Sequence, residues 1–419
     1  MVNKKWILLL ILFVIVGIRL QYMDINSENY YWDEVVYLDL AKNINNGAYS
    51  SDIGEEFRAP LFPFVLSLFG YAHLLNFLLV IFGMILVYFL GKEIYNDSVG
   101  LISAIILGCV QLYFFYSFKV LSEPLTIIFL VGAMLFMYKD RFYFASILLG
   151  LAVLTRYIAG VFAVAFFLYL LYKKKWKELI VSGLIFALML TPLFILGWIN
   201  YGNPFGMLIE NFFGQIHPHG GFFYYFIHIY TILGWFIPVM FVYGMFSKEN
   251  KKPLYFFILL YFIVLMIIST KYERFFILIF PFIAIIAANG VYMLQKKYKL
   301  GLLFLAIWVI VSLVVGVVHI GMDRDNTTLL IHTAQELDLD GKVVATSPVY
   351  FSYFGDMDVY FVPEHEDYDV SDAKYYIFDS YHARNDSVYN YYTNYIKEEG
   401  KVIYNQTEGS RWVIVYEKD

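Results

Sequence analysis

An acidic pair preceded by aromatic residues is the first group whose residue types could do chemistry. Asp33 and Glu34 follow Tyr30, Tyr31 and Trp32. A carboxylate that is held in place can accept a proton from a reacting hydroxyl as a general base. In the alternative interpretation, the acids cap the first turn of a helix and the aromatic rings lie at a membrane interface. Taken alone, the pair favours the capping interpretation.

Five more charged residues stand beside long apolar segments. They are Arg58, Glu123, Arg156, Lys271 and Arg274. Each one alone is explained by a side chain that snorkels to the interface or by a charge at a helix end. Ionisable groups at membrane depth, however, usually face a cavity and a partner. Because these charges and the acidic pair fall at one predicted level of the protein, we interpret them together as one candidate site.

The composition indicates which elements must hold these side chains. The chain has 419 residues, of which 60% are hydrophobic and 16% are charged, whereas soluble domains are about 25% charged. This composition excludes a wholly water-soluble protein, a disordered chain and a collagen. The one cysteine, Cys109, excludes an intramolecular disulfide and a Cys-based zinc site. We therefore predict a polytopic α-helical membrane protein.

About eleven apolar stretches are long enough, or nearly so, to cross a bilayer core, which needs roughly 20 helical residues. They are residues 6–20, 73–90, 98–118, 120–137, 142–155, 157–171, 179–199, 222–246, 254–268, 275–294 and 300–320. Fifteen of the 22 Lys and Arg residues in 1–322 fall in alternate connections, as the positive-inside rule requires of cytoplasmic loops. We therefore predict a multi-pass protein of the cell membrane with a cytoplasmic N-terminus and an extracellular C-terminal domain. Residues 142–171 are interpreted as two short helices, because a single crossing would place the later lysine-rich loops outside.

The last part of the chain differs from the rest in charge and in pattern. Residues 323–419 carry 19 acidic and 8 basic side chains, so we predict a domain boundary near residue 322. Helical stretches at 328–337 and 387–399 alternate with β-rich runs at 342–345, 374–378, 402–404 and 412–416. This alternation predicts a small α/β domain on the exterior side.

The membrane domain, residues 1–322, includes a long acidic exterior loop at 21–59. One apolar helical face within this loop is formed by Val35, Leu38, Ala41 and Ile44. An amphipathic helix of this kind is expected to lie along the membrane surface. Asp33 and Glu34 then stand in its first turn.

The motifs around these charges resemble those of a known family. Trp32-Asp33-Glu34, with Tyr37 and Ala41 behind it, and the segment 58–63 are similar to the first exterior loop of GT-C glycosyltransferases. The closest likeness is to the group of dolichyl-phosphate-mannose protein mannosyltransferases and lipid A aminoarabinose transferases. Later motifs of that group are similar to Ser122-Glu123-Pro124-Leu125, Leu154-Thr155-Arg156 and the run from Glu273-Arg274-Phe275 to Pro281. The likeness covers residues 1 to about 300. The sequence lacks the Trp-Trp-Asp-type signature of oligosaccharyltransferases.

The resemblance implies an inverting transfer of a sugar from a polyprenyl-phosphate carrier to a protein, lipid or glycan acceptor. Elementary chemistry agrees, because nucleotide sugars are not within reach of an exterior site and a membrane lipid phosphate is the expected carrier. Asp33 is the candidate general base, with Glu34 beside it. Arg58, Arg156 and Arg274 are the candidate ligands of the departing phosphate. Glu123 and Lys271 complete the predicted substrate-binding set; membrane lipids are further partners, and no nucleic acid is expected.

Two histidines give a weaker signal for a metal site. His217 and His219 flank Pro218 in an exterior loop, and with Glu34 or Glu123 they could ligate a divalent ion. Surface histidines that flank a turn explain the motif better. The transfer chemistry itself requires no cofactor.

Two other classes of protein stay open on the sequence. A transporter or flippase of lipid-linked saccharides also needs broken helices and buried charges. Such a protein should place its charges at mid-depth and carry internal repeats, whereas the acidic pair opens a predicted surface helix and no repeat is evident. A structural membrane protein with an exterior binding domain predicts no pocket that joins Asp33 and Arg156.

Overall fold

The protein is described from a computed structural model. The described residues are 4–22, 30–51, 56–214, 221–247, 252–268, 271–323, 327–355, 357–361, 373–380, 393–397, 400–408 and 411–418. Most of this part of the chain is helical, as the sequence predicts.

The helices are numbered in chain order. They are α1 (Lys4–Tyr22), α2 (Trp32–Asn45), α3 (Leu61–Ser67), α4 (Ala72–Ile94), α5 (Asp97–Cys109), α6 (Gln111–Tyr116), α7 (Glu123–Tyr138), α8 (Phe142–Thr155), α9 (Gly160–Tyr172), α10 (Trp176–Met189), α11 (Thr191–Tyr201), α12 (Gly206–Ile209), α13 (Tyr224–Leu233), α14 (Phe236–Gly244), α15 (Lys252–Ile267), α16 (Phe280–Tyr298), α17 (Gly301–Asp323), α18 (Thr328–Glu336) and α19 (Pro348–Gly355). Short 3₁₀ segments at Tyr157–Ala159 and Glu273–Ile279 precede α9 and α16, and a π-helical turn at Glu210–Gly214 follows α12.

The chain divides into two compact units, each of which packs mainly within itself. The first, which we call the helical unit, comprises Met1–Ile25 and Phe57–Ile320, and the second, the mixed unit, comprises Asn26–Glu56 and Gly321–Asp419. This division differs from the predicted one in one respect. The segment Asn26–Glu56, which the sequence pattern places with the membrane domain, belongs with the C-terminal residues.

Among the described residues of the helical unit, four stretches are long and apolar enough to cross a membrane. They are Ala72–Ile94, Trp176–Tyr201, Glu273–Tyr298 and Gly301–Val318. Six shorter apolar helices accompany them at Leu8–Tyr22, Asp97–Cys109, Glu123–Tyr138, Phe142–Thr155, Tyr157–Tyr172 and Pro253–Ile267. All of these helices coincide with apolar stretches of the sequence, while the number of crossings, eleven, stays a prediction.

Several predicted single helices are broken, and each break has a local cause. The stretch 98–118 forms α5 and α6, because Val110 leaves the helical region at φ −58° and ψ 122°. The stretch 222–246 is divided by Gly234, which has a positive φ of 68° that favours glycine. The predicted division of residues 142–171 into two helices is present, and Arg156, between α8 and α9, is extended at φ −158° and ψ 119°. Broken helices free backbone groups that other parts of the unit must satisfy.

The helix α16 belongs to the most buried of the four long apolar stretches, Glu273–Tyr298, in which 83% of an 18-residue segment is buried, against 11% for Trp176–Tyr201. It packs against α5 and α14. Its crossing with α14 is close because glycines meet backbone there. A Cβ atom on Gly290 would overlap the carbonyl oxygen of Met240, and one on Gly244 would overlap that of Ile286. Small residues that bring helix backbones together are typical of membrane helix packing.

The mixed unit contains a five-stranded sheet. Its strands are β1 (Val343–Ala345), β2 (Val359–Phe361), β3 (Tyr375–Asp379), β4 (Gly400–Glu408) and β5 (Arg411–Lys418), in the spatial order β2-β1-β3-β5-β4. Strand β1 is parallel to β2 and β3, whereas β5 is antiparallel to β3 and β4. Side chains alternate between two hydrophobic clusters on the two faces, with Ile377 in one and Tyr376 in the other. The predicted α/β composition of this region is therefore present.

Two elements of the mixed unit were not predicted, and one prediction is only partly described. Strand β2 has three residues and α19 has eight, so neither is long enough to give a clear period. The predicted helix at 387–399 lies largely outside the described residues, of which 393–397 are helical.

The predicted amphipathic helix exists as α2, but its apolar side chains are buried in protein. Val35, Val36 and Leu40 are fully buried in the hydrophobic cluster that also contains residues of α18, α19, β1 and β3. The predicted face included Leu38 and Ile44, which are only half-buried. The sequence predicted that the apolar side of this helix lies on the membrane surface. That prediction is wrong for Val35, Val36 and Leu40, because these side chains pack into the core of the mixed unit.

Candidate functional site

A buried ion pair between α7 and the end of α8 is the main charged feature of the helical unit. Nη1 of Arg156 lies 3.0 Å from Oε1 of Glu123, and it also donates to the Ser122 hydroxyl at 3.1 Å. The Glu123 side chain is 1% exposed and that of Arg156 is 13% exposed. The structure thus brings together two residues that the sequence placed 33 positions apart.

The local sequence explains why these side chains meet. Pro124 lies in the first turn of α7, where its missing N–H costs nothing, and this fixes Ser122 and Glu123 at the start of the helix. Arg156 immediately follows α8 in an extended conformation. Because α7 packs against α8, the beginning of one helix lies beside the end of the other.

The pair leaves hydrogen-bonding capacity free. Within the described ranges, Oε2 of Glu123 has no hydrogen-bond partner. The hydrogen bond and the ion pair of Arg156 to described residues both use Nη1, while its guanidinium carbon lies 5.5 Å from the centre of the Phe275 ring. Buried polar groups are nearly always hydrogen-bonded, so a partner from outside the described chain is expected here.

The Phe275 ring lies beside Arg156 and beside a second arginine, Arg274. The guanidinium carbon of Arg274 lies 5.3 Å from the centre of the Tyr272 ring and 6.0 Å from that of Phe275. The Tyr261 hydroxyl donates to the Phe275 carbonyl at 2.8 Å. Phe275 is therefore held by α15 while its ring lies beside two cations.

A hydrogen bond to the backbone of Phe57 connects Arg58 to the region of Arg156. The Tyr157 hydroxyl donates to the Phe57 carbonyl at 3.0 Å. Arg58 is half-buried, and its guanidinium carbon lies 5.3 Å from the centre of the Phe57 ring. Since Tyr157 follows Arg156 in the chain, this bond fixes Phe57 and Arg58 near the α8–α9 break.

Lys271 is buried, and its ammonium group is bonded to backbone carbonyls. Its Nζ donates to the carbonyls of Leu265, Met266 and Ile268 at 2.9, 3.1 and 2.6 Å. An ammonium has three donors, so the end of α15 uses all of them. Burial lowers the pKa of this ammonium. These contacts cap the end of α15, and a contact of Lys271 with the substrate stays a prediction.

The acidic pair belongs to the mixed unit, where both side chains are buried. Oε2 of Glu34 accepts from the Tyr31 backbone N–H at 2.7 Å, and Glu34 is completely buried. This contact closes the first turn of α2 in the manner of a capping box. Asp33 is 8% exposed. The capping interpretation therefore describes this contact of Glu34, and the catalytic assignment of Asp33 and Glu34 stays a prediction.

The predicted metal ligands His217 and His219 lie outside the described residues. Among the residues that the structure does describe, no group of three or more His, Cys, Asp or Glu side chains is arranged to hold a metal ion. The two acids that could have joined the histidines have protein partners, since Glu34 bonds to Tyr31 and Glu123 pairs with Arg156.

Arg19 is a buried cation that lies in an apolar run and that the sequence pattern did not assign to the site. It is completely buried, its Nη2 donates to the Gly108 carbonyl at 2.6 Å, and its Nε donates to the Ser117 hydroxyl at 3.2 Å. The break after α5 frees the Gly108 carbonyl, and Arg19 satisfies it. A charge inside the apolar run 6–20 was the available signal.

The fold resembles that of membrane GT-C glycosyltransferases. It is similar to ArnT from Cupriavidus metallidurans bound to undecaprenyl phosphate, with a TM-score of 0.72 and 11% identity over 99% of this chain and 98% of that one. The apo state of the same protein gives a TM-score of 0.73 at 11% identity, covering 98% of each chain. The archaeal oligosaccharyltransferase AglB from Archaeoglobus fulgidus, in complex with an inhibitory peptide and a dolichol-phosphate, gives 0.59 at 13% identity, covering 90% of this chain and 70% of that one.

A family model agrees with this class. The model for dolichyl-phosphate-mannose-protein mannosyltransferase matches residues 63–199, a segment that contains both Glu123 and Arg156. No protein of curated function matches the sequence significantly. The resemblance drawn from the sequence motifs, to the group that includes these mannosyltransferases and the aminoarabinose transferases, is confirmed by the family model and by the fold.

Proposed function

We propose that the protein transfers a sugar from a polyprenyl-phosphate carrier to an acceptor on a protein, lipid or glycan at the outer membrane face. The observation that carries this proposal is the buried pair of Arg156 and Glu123, with donors of the arginine left unused by the described residues. Both residues lie in the segment matched by the mannosyltransferase model. The likeness to structures solved with undecaprenyl phosphate and dolichol-phosphate supports a lipid phosphate as the donor.

Arg156 is proposed as the main ligand of the departing phosphate. Glu123 and Ser122 hold Nη1, so the guanidinium is oriented before the substrate arrives, and Nε and Nη2 remain for phosphate oxygens. When the bond from the anomeric carbon to the phosphate oxygen breaks, the lipid phosphate gains negative charge. Fixed cations in a partly dehydrated site stabilise that charge strongly. Arg58 and Arg274 are proposed as supporting cations.

Asp33 is proposed as the general base. It takes the proton of the acceptor hydroxyl as the acceptor oxygen bonds to the anomeric carbon, while the phosphate leaves with the electrons of the broken bond. A single displacement of this kind inverts the anomeric configuration. No acid is needed for the leaving group, because a phosphate oxygen departs as a stable anion. Glu34 is not assigned a proton-transfer role, since it closes the first turn of α2.

The proposed orientation has eleven crossings, a cytoplasmic N-terminus and an extracellular mixed unit. The four long and six shorter apolar helices support a multi-pass protein, and the distribution of Lys and Arg supports this orientation. A phosphatase fused after residue 419 should be active, and one inserted at 248–252 should be inactive. The opposite pattern would remove the proposal of an outer-face reaction.

The direct test uses purified protein in nanodiscs with a panel of polyprenyl-phosphate sugars and isolated membranes as acceptors. The proposal expects formation of free polyprenyl phosphate together with labelled acceptor. A transporter or flippase would instead move a fluorescent lipid-linked saccharide across proteoliposomes without cleaving it. Movement without cleavage of any donor in the panel would overturn the transferase proposal.

We propose no cofactor for this step. A divalent metal at His217 and His219 stays a prediction, which addition of EDTA to the same assay tests. Loss of transfer that Mn²⁺ or Mg²⁺ restores, and that His217→Ala abolishes, would support it. Unchanged transfer in EDTA would remove it.

A further inference from the structure

The residue that leads into α2 two positions before its start, Tyr30, is held by side chains from the C-terminal part of the chain. The Tyr350 hydroxyl, on α19, donates to the Tyr30 carbonyl at 3.0 Å. Tyr350 itself is completely buried. The ring of Tyr30 lies 5.8 Å from that of Phe354 on the same helix. The residue three positions before Asp33 therefore has both its carbonyl and its ring fixed by α19.

Two other contacts fix the turn that contains Asp33. Glu34 accepts from the Tyr31 N–H, and Val35 and Val36 are fully buried in the core of the mixed unit. The residues on both sides of Asp33 are therefore fixed. Tyr30 is bonded through its carbonyl, Glu34 closes the first turn, and Val35 and Val36 are buried in the core. The first turn of a helix has unsatisfied N–H groups and otherwise frays easily. A fixed first turn restricts the positions that the Asp33 carboxylate can take.

We propose that Tyr350 is a positioning residue for Asp33 and that the C-terminal part of the chain thereby forms part of the catalytic apparatus. This inference rests on the proposed function, in which Asp33 is the general base. General base catalysis requires the carboxylate within hydrogen-bond reach of the acceptor hydroxyl. A displacement of about 1 Å from productive geometry can reduce a rate by ~10². The bond from Tyr350 to Tyr30 acts on this geometry without touching the substrate.

Tyr350→Phe removes the hydroxyl and keeps the ring in the core. We expect kcat to fall by about 10-fold, within the range given for misplaced groups, while KM for the donor and binding of undecaprenyl phosphate stay unchanged. The matched control is Tyr404→Phe in the same unit. The Tyr404 hydroxyl bonds to Glu336 on α18 and to Gln406 on β4 rather than to the turn before α2, so kcat should be unchanged in that variant.

A double-mutant cycle with Asp33→Asn separates positioning from a general structural role. If Tyr350 acts through Asp33, Tyr350→Phe should have little further effect once the base is removed. Equal losses in the native and Asp33→Asn backgrounds would overturn the inference, as would a native kcat for Tyr350→Phe. A native rate for Asp33→Asn would instead refute the base assignment of the proposed function, so the two failures are distinguishable.

Hydrogen exchange gives a readout that does not need turnover. Peptides that cover residues 30–36 should exchange faster in Tyr350→Phe than in Tyr404→Phe, with the rest of the mixed unit unchanged. If Tyr350→Phe folds poorly, Phe354→Leu is the second variant, since it weakens the ring contact with Tyr30 and should also lower kcat at constant donor binding. Native exchange and native kcat in that variant would contradict the inference.

Discussion

Replacing Arg156 by alanine should weaken the binding of polyprenyl phosphate. The substitution removes the guanidinium whose Nη1 is held by Glu123 and Ser122 and whose other donors are proposed to bind phosphate oxygens. A hydrogen bond to a charged group contributes about 1.5 to 3 kcal/mol. Since 1.4 kcal/mol corresponds to about a tenfold change in Kd, the expected loss is about 10- to 150-fold.

The same substitution also affects stability, and this effect has to be separated from binding. Without Arg156, the Glu123 carboxylate is buried and has lost its cation, and breaking a buried pair from one side costs about 3–5 kcal/mol. The exposed 13% of the arginine side chain reduces that cost. Glu123→Gln in the Arg156→Ala background removes the unpaired charge. It should restore most of the thermal stability but not the binding of the lipid phosphate.

The assay is equilibrium binding of undecaprenyl phosphate and of dolichyl phosphate to protein in nanodiscs, with undecaprenol as the ligand that lacks phosphate. Arg156→Lys should recover part of the loss, because a point charge still attracts phosphate although the two-pronged geometry is gone. The matched control is Arg141→Ala. Arg141 is exposed and precedes α8, the same helix that Arg156 follows.

Three results would refute this reasoning. Native affinity in Arg156→Ala would show that the guanidinium does not bind the phosphate. An equal loss in Arg141→Ala would show a general effect of positive charge. An equal loss of undecaprenol binding would show that the variant weakens binding of the lipid chain rather than of the phosphate.

Three further predictions concern stability. Arg19→Ala should lower the unfolding midpoint in detergent, because the buried Gly108 carbonyl loses its donor at a cost of about 1–3 kcal/mol; a native midpoint would contradict the assigned bond. Gly290→Ala should destabilise the protein by about 1–3 kcal/mol, since its Cβ would overlap a backbone carbonyl. Gly183→Ala is the control, because a Cβ atom at Gly183 meets open space. Equal unfolding midpoints for the two variants would contradict the close crossing of α14 and α16. Burial raises the pKa of the Tyr353 hydroxyl, so the folded state favours its neutral form. The resulting stabilisation is complete below the ordinary pKa of about 10 and is lost as pH rises above it toward the raised value. Tyr353→Phe should therefore lessen the decrease of the unfolding midpoint between about pH 9 and pH 11, and an unchanged decrease would contradict this.

The sequence was sufficient to predict the helical membrane class and to select two charged residues that the structure joins in an ion pair. Long apolar runs have few structural alternatives, and an arginine between two such runs needs an anion or a polar cavity. Arg156 and Glu123 could be assigned to the site for this reason, and the structure joins them at 3.0 Å. The positive-inside count also led to two helices in 142–171, and the structure has α8 and α9 separated at Arg156.

The partners of Glu34 and Lys271 could not be predicted, because both bind backbone groups. The carbonyls that Lys271 caps become available only where α15 ends, and the N–H that Glu34 accepts from belongs to the turn before α2. A charged residue beside an apolar run looks the same in the sequence whether it caps a helix or binds a substrate. Tyr350 was missed for a related reason, since its hydroxyl meets a carbonyl 320 residues away.

The register of α2 was also predicted only in part. Val35, Leu38, Ala41 and Ile44 have the spacing of one helical face, but the core of the mixed unit buries Val35 and Val36 together with Leu40. Burial from two sides widens an apolar face beyond a single stripe. The sequence pattern of the C-terminal residues did not indicate that they would pack against α2.

The most direct test of the central claim is the rate of sugar transfer by Asp33→Asn, measured beside donor binding in the same nanodisc preparation. The amide keeps the shape of the side chain and removes its ability to accept the proton. The proposed mechanism predicts that release of polyprenyl phosphate with labelling of the acceptor falls by ~10² to 10⁴, the weight of general base catalysis, while undecaprenyl phosphate binds with native affinity. Transfer at the native rate by Asp33→Asn would contradict the mechanism.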